Sequence, residues 1–315
     1  MQKNSRGSEV NMKYNDKNSD EKLTKVGINW YPGHMAKTKR QIMEDLKLID
    51  VVIELLDARI PLSSRNPDID KIVANKKRII ALNKSDLADE EQNKKWVQYF
   101  KNKNLQATII DSNSGKGIDN CLKLIVNEMK DELEKASSKG RIGKNIRVMI
   151  IGIPNVGKSS FINRISKKTS AIVGNRPGVT KQKQWIRIDN NIELLDTPGV
   201  LWPKFESEEI GLNLAYTGSI KDEVIDKVEV AFFLLKYLNT NYRKNLMERY
   251  KITEEEFESI VEEEENDTIL NLMHLIGRKR GAIVSGGNVD ETKVANIVLD
   301  DFRTSKLGKI TLEKV

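Results

Sequence analysis

The stretch Val148–Phe161, VMIIGIPNVGKSSF, restricts what this chain can fold into more than any other part of it. Val148 to Ile151 reads as a buried strand, the chain breaks at Gly152, and Gly157-Lys158-Ser159-Ser160 opens a helix. The spacing satisfies G-x-x-x-x-G-K-[ST] in full. A glycine-rich turn between strand and helix directs backbone N–H groups inward as an anion nest, and the helix adds its positive end. Asn155, Val156, Gly157, Lys158, Ser159 and Ser160 therefore form a phosphate cradle. Lys158 reaches toward β- and γ-phosphate oxygens, and the Ser159 hydroxyl is placed to ligate Mg²⁺. A chance glycine turn would not need the strand before it and the helix after it.

Two upstream strands carry a second kind of signal. Asp50 to Asp57 reads as a strand of a largely buried parallel sheet, ending in the polar loop Asp57-Ala58-Arg59. Ligand sites of α/β sheets lie at such strand ends. Arg78 to Leu82 forms another strand and delivers Asn83-Lys84-Ser85-Asp86. Guanine presents two donors on one edge, and one carboxylate, Asp86, can accept both; adenine lacks that pair. The Asn83 amide can meet the purine's remaining polar edge and tie this loop to the phosphate loop, while the Lys84 stem lies over a base face. A third strand, Ala107 to Ile110, runs into Asp111-Ser112-Asn113-Ser114-Gly115. Its Ser112 and Asn113 stand where GTPases of similar pattern offer backbone N–H groups to guanine O6. The set favours GTP over ATP.

Downstream of the cradle, Val173 to Thr180 is a Gly/Pro-containing loop ending in a threonine placed to ligate Mg²⁺ and bond a γ-phosphate. A hairpin, 184–189 and 192–195, delivers Asp196-Thr197-Pro198-Gly199. There Asp196 would hold Mg²⁺ through water, and the Gly199 N–H would bond the γ-phosphate. Base-reading loops thus precede the phosphate loop in the chain. One compact sheet explains both if its connectivity is rotated, which is tolerable because termini lie at the surface, often close together. The expected fold is α/β, a P-loop GTPase three-layer α/β/α sandwich, circularly permuted in the order G4-G5-G1-G2-G3. An all-helical C-terminal domain follows.

The chain has 315 residues. Residues 1–27, rich in Asn, Lys, Ser and Asp, form an expected disordered tail. Residues 28–205 form the permuted GTPase domain and 206–315 the helical one. In the latter, Val224, Val228, Ala231, Phe232, Leu235 and Leu238 recur at helical period. Thr253 with Glu256 makes a capping box, and Asp290 an N-cap. Arg278, Lys279, Arg280, Arg303, Lys306 and Lys309 bracket the last helix, as an RNA-facing patch or as a merely soluble basic face. Lys+Arg number 53 against 46 Asp+Glu, a net charge of +7 that favours a polyanionic partner. The single cysteine, Cys121, excludes an internal disulfide framework. Asp50, Glu54 and Asp57 interrupt the most apolar early stretch, and no secretory h-region opens the chain. A soluble, cytoplasmic protein with no membrane partner is expected.

With these motifs in this order, the chain resembles the circularly permuted GTPases of the YlqF/YawG group. Trp30-Tyr31-Pro32-Gly33-His34-Met35, the Asp57-Ala58-Arg59 loop and the C-terminal pattern bring it nearest the ribosome biogenesis GTPase A family. The resemblance covers about residue 28 to the end. It implies a GTPase acting late in assembly of the large (50S) ribosomal subunit. Such an enzyme binds the pre-50S particle and its rRNA in the GTP state, leaves after particle-stimulated hydrolysis, and is monomeric off the ribosome. The position after Gly199, which many GTPases give to Gln, is Val200, so slow intrinsic hydrolysis is expected. The resemblance makes Asn155 a K⁺ ligand and His34 a histidine that swings toward the nucleotide. The residues alone leave a loop-stabilising role for Asn155 and a packing role for His34 open. Two other functions remain compatible: an RNA-binding scaffold with structural nucleotide, and a small-subunit or tRNA-directed GTPase.

Overall fold

A computed structural model of the protein describes residues 33–73, 76–140, 144–168, 172–174, 185–188, 191–195 and 207–315, with backbone alone at 33–39, 168 and 172–174. The expected tail, Thr180, Asp196, Gly199 and Val200 lie outside the described residues. The first part alternates helices and strands in chain order: α1 (Gly33–Leu46), β1 (Val51–Asp57), the single turn α2 (Ile69–Ile72), β2 (Lys77–Asn83), α3 (Glu90–Asn102), β3 (Gln106–Ile109), α4 (Ile118–Glu128), α5 (Lys130–Ser138), β4 (Ile146–Ile151), α6 (Lys158–Lys168), β5 (Ile172–Gly174), β6 (Trp185–Ile188) and β7 (Ile192–Leu195). The helical part follows as α7 (Glu208–Tyr216), α8 (Lys227–Asn241), α9 (Arg243–Tyr250), α10 (Glu254–Glu258), α11 (Glu265–Arg280) and α12 (Glu291–Arg303).

Among the described residues the strands form one sheet in the order β3-β2-β1-β4-β7-β6-β5. From β3 across to β7 neighbours are parallel, whereas β6 pairs antiparallel with β7 and with β5. β1, central and covered on both faces, is buried at every position, as expected for a parallel strand between two helical layers. The strand leading to the phosphate loop, β4, pairs with β1 in the register Val51↔Val148 to Glu54↔Ile151. Residues from both halves of the chain therefore sit side by side at the centre, with their C-terminal ends pointing the same way. That is the rotated connectivity the motif order requires.

The capping signals form as spaced. Thr253 and Glu256 exchange both bonds of a capping box, and the Asp290 side chain accepts from Lys293 N. Cys121 is buried on α4. Past α4 the chain breaks at Met129 and is helical again as far as Ser138. One expectation fails locally. Val224 is 37% exposed in a 3₁₀ turn, since Asp226 caps α8 by accepting from Val228 and Glu229 and so starts that helix later.

The helices after Ser207 pack around α8, which touches α7, α9, α11 and α12. Their core is continuous with that beneath the sheet: Leu214, Ile220 and Val298 belong to the same buried cluster as Ile150 and Phe161. Among the described residues, no helix is long and apolar enough to cross a membrane.

Candidate functional site

The phosphate loop takes its shape from what surrounds its glycines. A Cβ on Gly152 would lie 2.7 Å from the Leu55 carbonyl oxygen, so β1 approaches too closely for any side chain there. Gly157 has φ +102°, and a Cβ on it would meet Asn83 Nδ2 at 2.3 Å. A left-handed backbone of that kind suits glycine. Lys158, buried at the first position of α6, folds its ammonium back over the loop and donates to the carbonyls of Gly152 at 3.1 Å and Ile153 at 2.8 Å. Ser159 and Ser160 follow in the exposed first turn of α6.

Asn83 ties the three loops together. Its Nδ2 donates to Val156 O at 2.7 Å. Its Oδ1 accepts from Ser112 N at 3.1 Å and from the Ser112 hydroxyl at 2.8 Å. The amide oxygen is thereby committed to protein, so its place is that of a brace between the base-reading and phosphate loops. Arg164 on α6 adds a bond to Ser112 O at 3.3 Å. The Ser112 N–H is spent on Asn83, and the Asn113 N–H on the Asp111 carboxylate at 2.8 Å. Neither stands open, so a base carbonyl at this loop must displace the Asp111 bond or find a neighbouring N–H.

Lys84 also has an internal partner. With φ +58° it pairs its ammonium with Asp57 at 3.0 Å. Asp57 is fully buried and takes the Arg59 guanidinium in two bonds, 2.9 and 2.8 Å. Burial alone would raise the Asp57 carboxyl, but the two cations outweigh it and hold it well below the usual carboxylate range. Asp86 is more exposed, and its carboxyl is pushed up first by partial burial and then by the Asp111 carboxylate. A carboxylate in that setting gains from a ligand that brings a pair of N–H donors.

A cavity of about 370 Å³ joins these groups. It is lined by Asn83, Lys84, Asp86, Ser112 and Asn113 together with Asn155, Gly157 and Ser160. Arg59, Leu87 and Asp111 also face it. The Asn83–Asp86 loop and the Gly157 loop, about seventy positions apart in the chain, therefore share one pocket. Val156 lies beneath it, buried, with its carbonyl held by Asn83. His34 lies on α1, its side chain outside the described residues, and so are Thr180, Asp196 and Gly199 in full.

One wall of the cavity has no counterpart in the sequence reading. Thr217, Arg303 and Thr304, all from the helical part, complete the lining. Arg303 donates to the carbonyls of Tyr216 at 3.0 Å and Ala215 at 2.8 Å and pairs with Asp222 at 2.9 Å. It thereby shapes the turn whose Gly218 carbonyl accepts from Asn155 Nδ2 at 2.7 Å. The basic set around α12 is correspondingly less free than its charge suggests. Lys279 pairs with Glu256, Lys306 with Asp300, and Lys309 with Glu90, while Arg280 lies over Tyr250 and bonds Arg249 O. No signal in the sequence marks Arg303 as a pocket residue, because its neighbours there come from α7 and the phosphate loop.

A P-loop sheet with a carboxylate-bearing Asn-Lys-Ser-Asp loop and a phosphate cradle on one cavity defines a guanine-nucleotide-binding GTPase. The 50S ribosome-binding GTPase family matches residues 147–274. Ribosome biogenesis GTPase A of Bacillus cereus is 47% identical over 286 residues, 91% of this chain and 93% of that protein. The protein of the same name from Thermotoga maritima is 32% identical, over 91% and 94%. The crystal structure of GNP-bound YlqF from T. maritima aligns with a TM-score of 0.57 at 26% identity, over 88% of this chain and 98% of that one. The chain belongs to the ribosome biogenesis GTPase A family.

Proposed function

We propose that this GTPase acts in the cytoplasm in late assembly of the large ribosomal subunit. It binds the precursor particle and its rRNA in the GTP state and leaves after particle-stimulated hydrolysis. The carrying observation is the brace at Asn83, which ties the base-reading and phosphate loops together beside one cavity. The names of its relatives support the ribosomal setting. The working unit is a permuted GTPase domain, 28–205, with a helical domain, 206–315, and the chain is monomeric away from the ribosome.

The tight glycines at 152 and 157 fit a phosphate cradle, because neither position accepts a side chain. Within it Lys158 exchanges its two loop carbonyls for phosphate oxygens. The Ser159 hydroxyl, with Thr180 and Asp196, would hold Mg²⁺, an oxygen-only set that suits a hard cation. The metal supplies charge neutralisation on the phosphates when bound. Gly199 bonds the terminal phosphate through its N–H. Asn155 would hold K⁺, its side-chain oxygen remaining available when its nitrogen bonds Gly218 O. His34 acts on the attacking water once the particle positions α1. Val200 cannot orient water itself, and so the free enzyme turns over slowly.

Arg278, exposed at the end of α11, is the most available of the basic set for RNA phosphate. The surface pairs at Lys279, Lys306 and Lys309 exchange partners with phosphate at little cost. The test is GTPase rate with and without large-subunit particles, in K⁺ and in Na⁺, alongside small subunits. Stimulation by large subunits, greater in K⁺, is the expected result. Equal rates under all conditions refute the proposal.

A further inference from the structure

The chain ends in Leu307-Gly308-Lys309-Ile310-Thr311-Leu312-Glu313-Lys314-Val315, a segment without regular secondary structure that is nonetheless buried at Ile310, Thr311 and Leu312. Gly308, at φ +90°, turns it back, since a Cβ there would meet Asn245 Nδ2 at 2.6 Å. Beyond that turn the tail runs between the helical part and the base-reading loops. On one side Tyr237 and Tyr242 donate their hydroxyls to Leu312 O at 2.8 Å and Thr311 O at 3.0 Å.

On its other side the tail bonds the backbone on the C-terminal flank of the guanine-reading carboxylate. Ile310 N donates to Leu87 O at 3.1 Å, one residue after Asp86. The Thr311 hydroxyl accepts from Asp89 N at 3.0 Å, three residues after it. Leu312 N donates to Arg59 O at 2.9 Å, and the Arg59 guanidinium, which lies over the Phe302 ring, faces the cavity. The Glu313 carboxylate then accepts from the backbone N–H groups of Leu62 and Ser63, at 2.6 and 2.8 Å, in the same loop as Arg59. Asp86 itself is exposed. Its position is set by the backbone on which it rides, and two of the groups fixing that backbone belong to residues more than two hundred positions away.

We propose that the C-terminal tail, residues 310–313, is the positioning element of the guanine-reading loop. Thr311 is its key residue, so the selectivity of the pocket for guanine depends on the last residues of the chain. The proposal rests on the guanine-site reading above and adds to it a part of the chain that carries no nucleotide motif. It also makes the helical part and the base-reading loop share one strap, so that displacing either pulls on the other.

The test uses the full chain and calorimetric binding of GDP and of inosine diphosphate, which lacks the N2 amino group and so reports on the Asp86 carboxylate. Thr311→Val keeps the volume but leaves Asp89 N without an acceptor. It is expected to lower GDP affinity about ten-fold, the effect of one buried group left unpaired, and to narrow the GDP-to-IDP ratio. Thr311→Ser, which retains the hydroxyl, restores both. A fall in melting temperature with GDP affinity and the ratio unchanged assigns Thr311 to stability alone and overturns the proposal. So does equal damage by Ser and Val. Wild-type protein that does not prefer GDP to IDP overturns the guanine-site reading itself, before any variant is compared.

Discussion

Replacing Asn83 with alanine tests the brace between the loops most directly. The side chain is 1% exposed and makes three bonds: to Val156 O, Ser112 N and the Ser112 hydroxyl. Asn83→Ala leaves two backbone groups, Val156 O and Ser112 N, without these partners; the hydroxyl can rotate to another. A buried group left unpaired costs about 1–3 kcal/mol. Because the site borders an open cavity and water can enter, the lower end applies to each, for a total of about 2 kcal/mol. That equals roughly a thirty-fold change in an equilibrium constant. In the unliganded chain the loops relax apart and spread the loss, but nucleotide must draw them together again. GDP affinity is therefore expected to fall about ten- to thirty-fold, accompanied by a loss of up to about 2 kcal/mol in urea unfolding. Calorimetric titration with GDP, beside urea denaturation of the same preparation, measures both. GDP affinity within two- to three-fold of wild type would show that the loops hold their geometry without Asn83, and the reasoning would fail.

Other perturbations address neighbouring parts. Asp57→Asn strands the buried Arg59 cation and the partly buried Lys84 cation, with an expected cost of about 3–5 kcal/mol by denaturant unfolding. Since the folded pKa of Asp57 is depressed, its contribution is complete above the usual carboxylate range, near pH 4, and is lost as pH falls below it. Wild type should thus lose stability in acid more steeply than Asp57→Asn, and parallel acid limbs would contradict the pairing. Burial pushes the Cys121 thiol up to about 12, so iodoacetamide at pH 8 should modify it only as fast as the fold opens; labelling at the rate of a free thiol would place it at the surface. Lys158→Ala should reduce GTP turnover by about a hundred-fold or more. Turnover near wild type would remove this ammonium from the phosphate site.

The elements most legible in the sequence were those that short-range rules define. A glycine whose Cβ would strike Leu55 O or Asn83 Nδ2 leaves its mark as a glycine, and a helix opening on Gly-Lys-Ser-Ser has few alternatives. The capping box at Thr253 is equally local, involving two residues in one turn. The rotated order of the strands was legible for a different reason. Each loop followed its own apolar strand, and parallel strands in one buried sheet present their C-terminal ends on one edge whatever the order of connection. Charge was less informative. Arg303 and Lys279 look alike as basic residues beside helix ends, yet one lines the cavity beside Asn83 and Asp86 and the other meets Glu256 at the surface.

The sequence by itself determined that Gly152 to Ser160 would form a tight glycine turn between strand and helix. It also determined that Asn83 to Asp86 would stand at the end of a strand parallel to it. Both follow from backbone sterics and hydrogen-bonding geometry acting within a few residues. Only the tertiary structure decided that Asn83 would spend its amide on Val156 and Ser112, that Lys84 would share Asp57 with Arg59, that Thr217 and Arg303 would line the same cavity, and that the tail at Thr311 would bond the loop after Asp86. These are contacts between groups tens to hundreds of residues apart, between side chains and backbone that many residue types could supply. They are fixed by how the helices pack against the sheet, which no local pattern encodes.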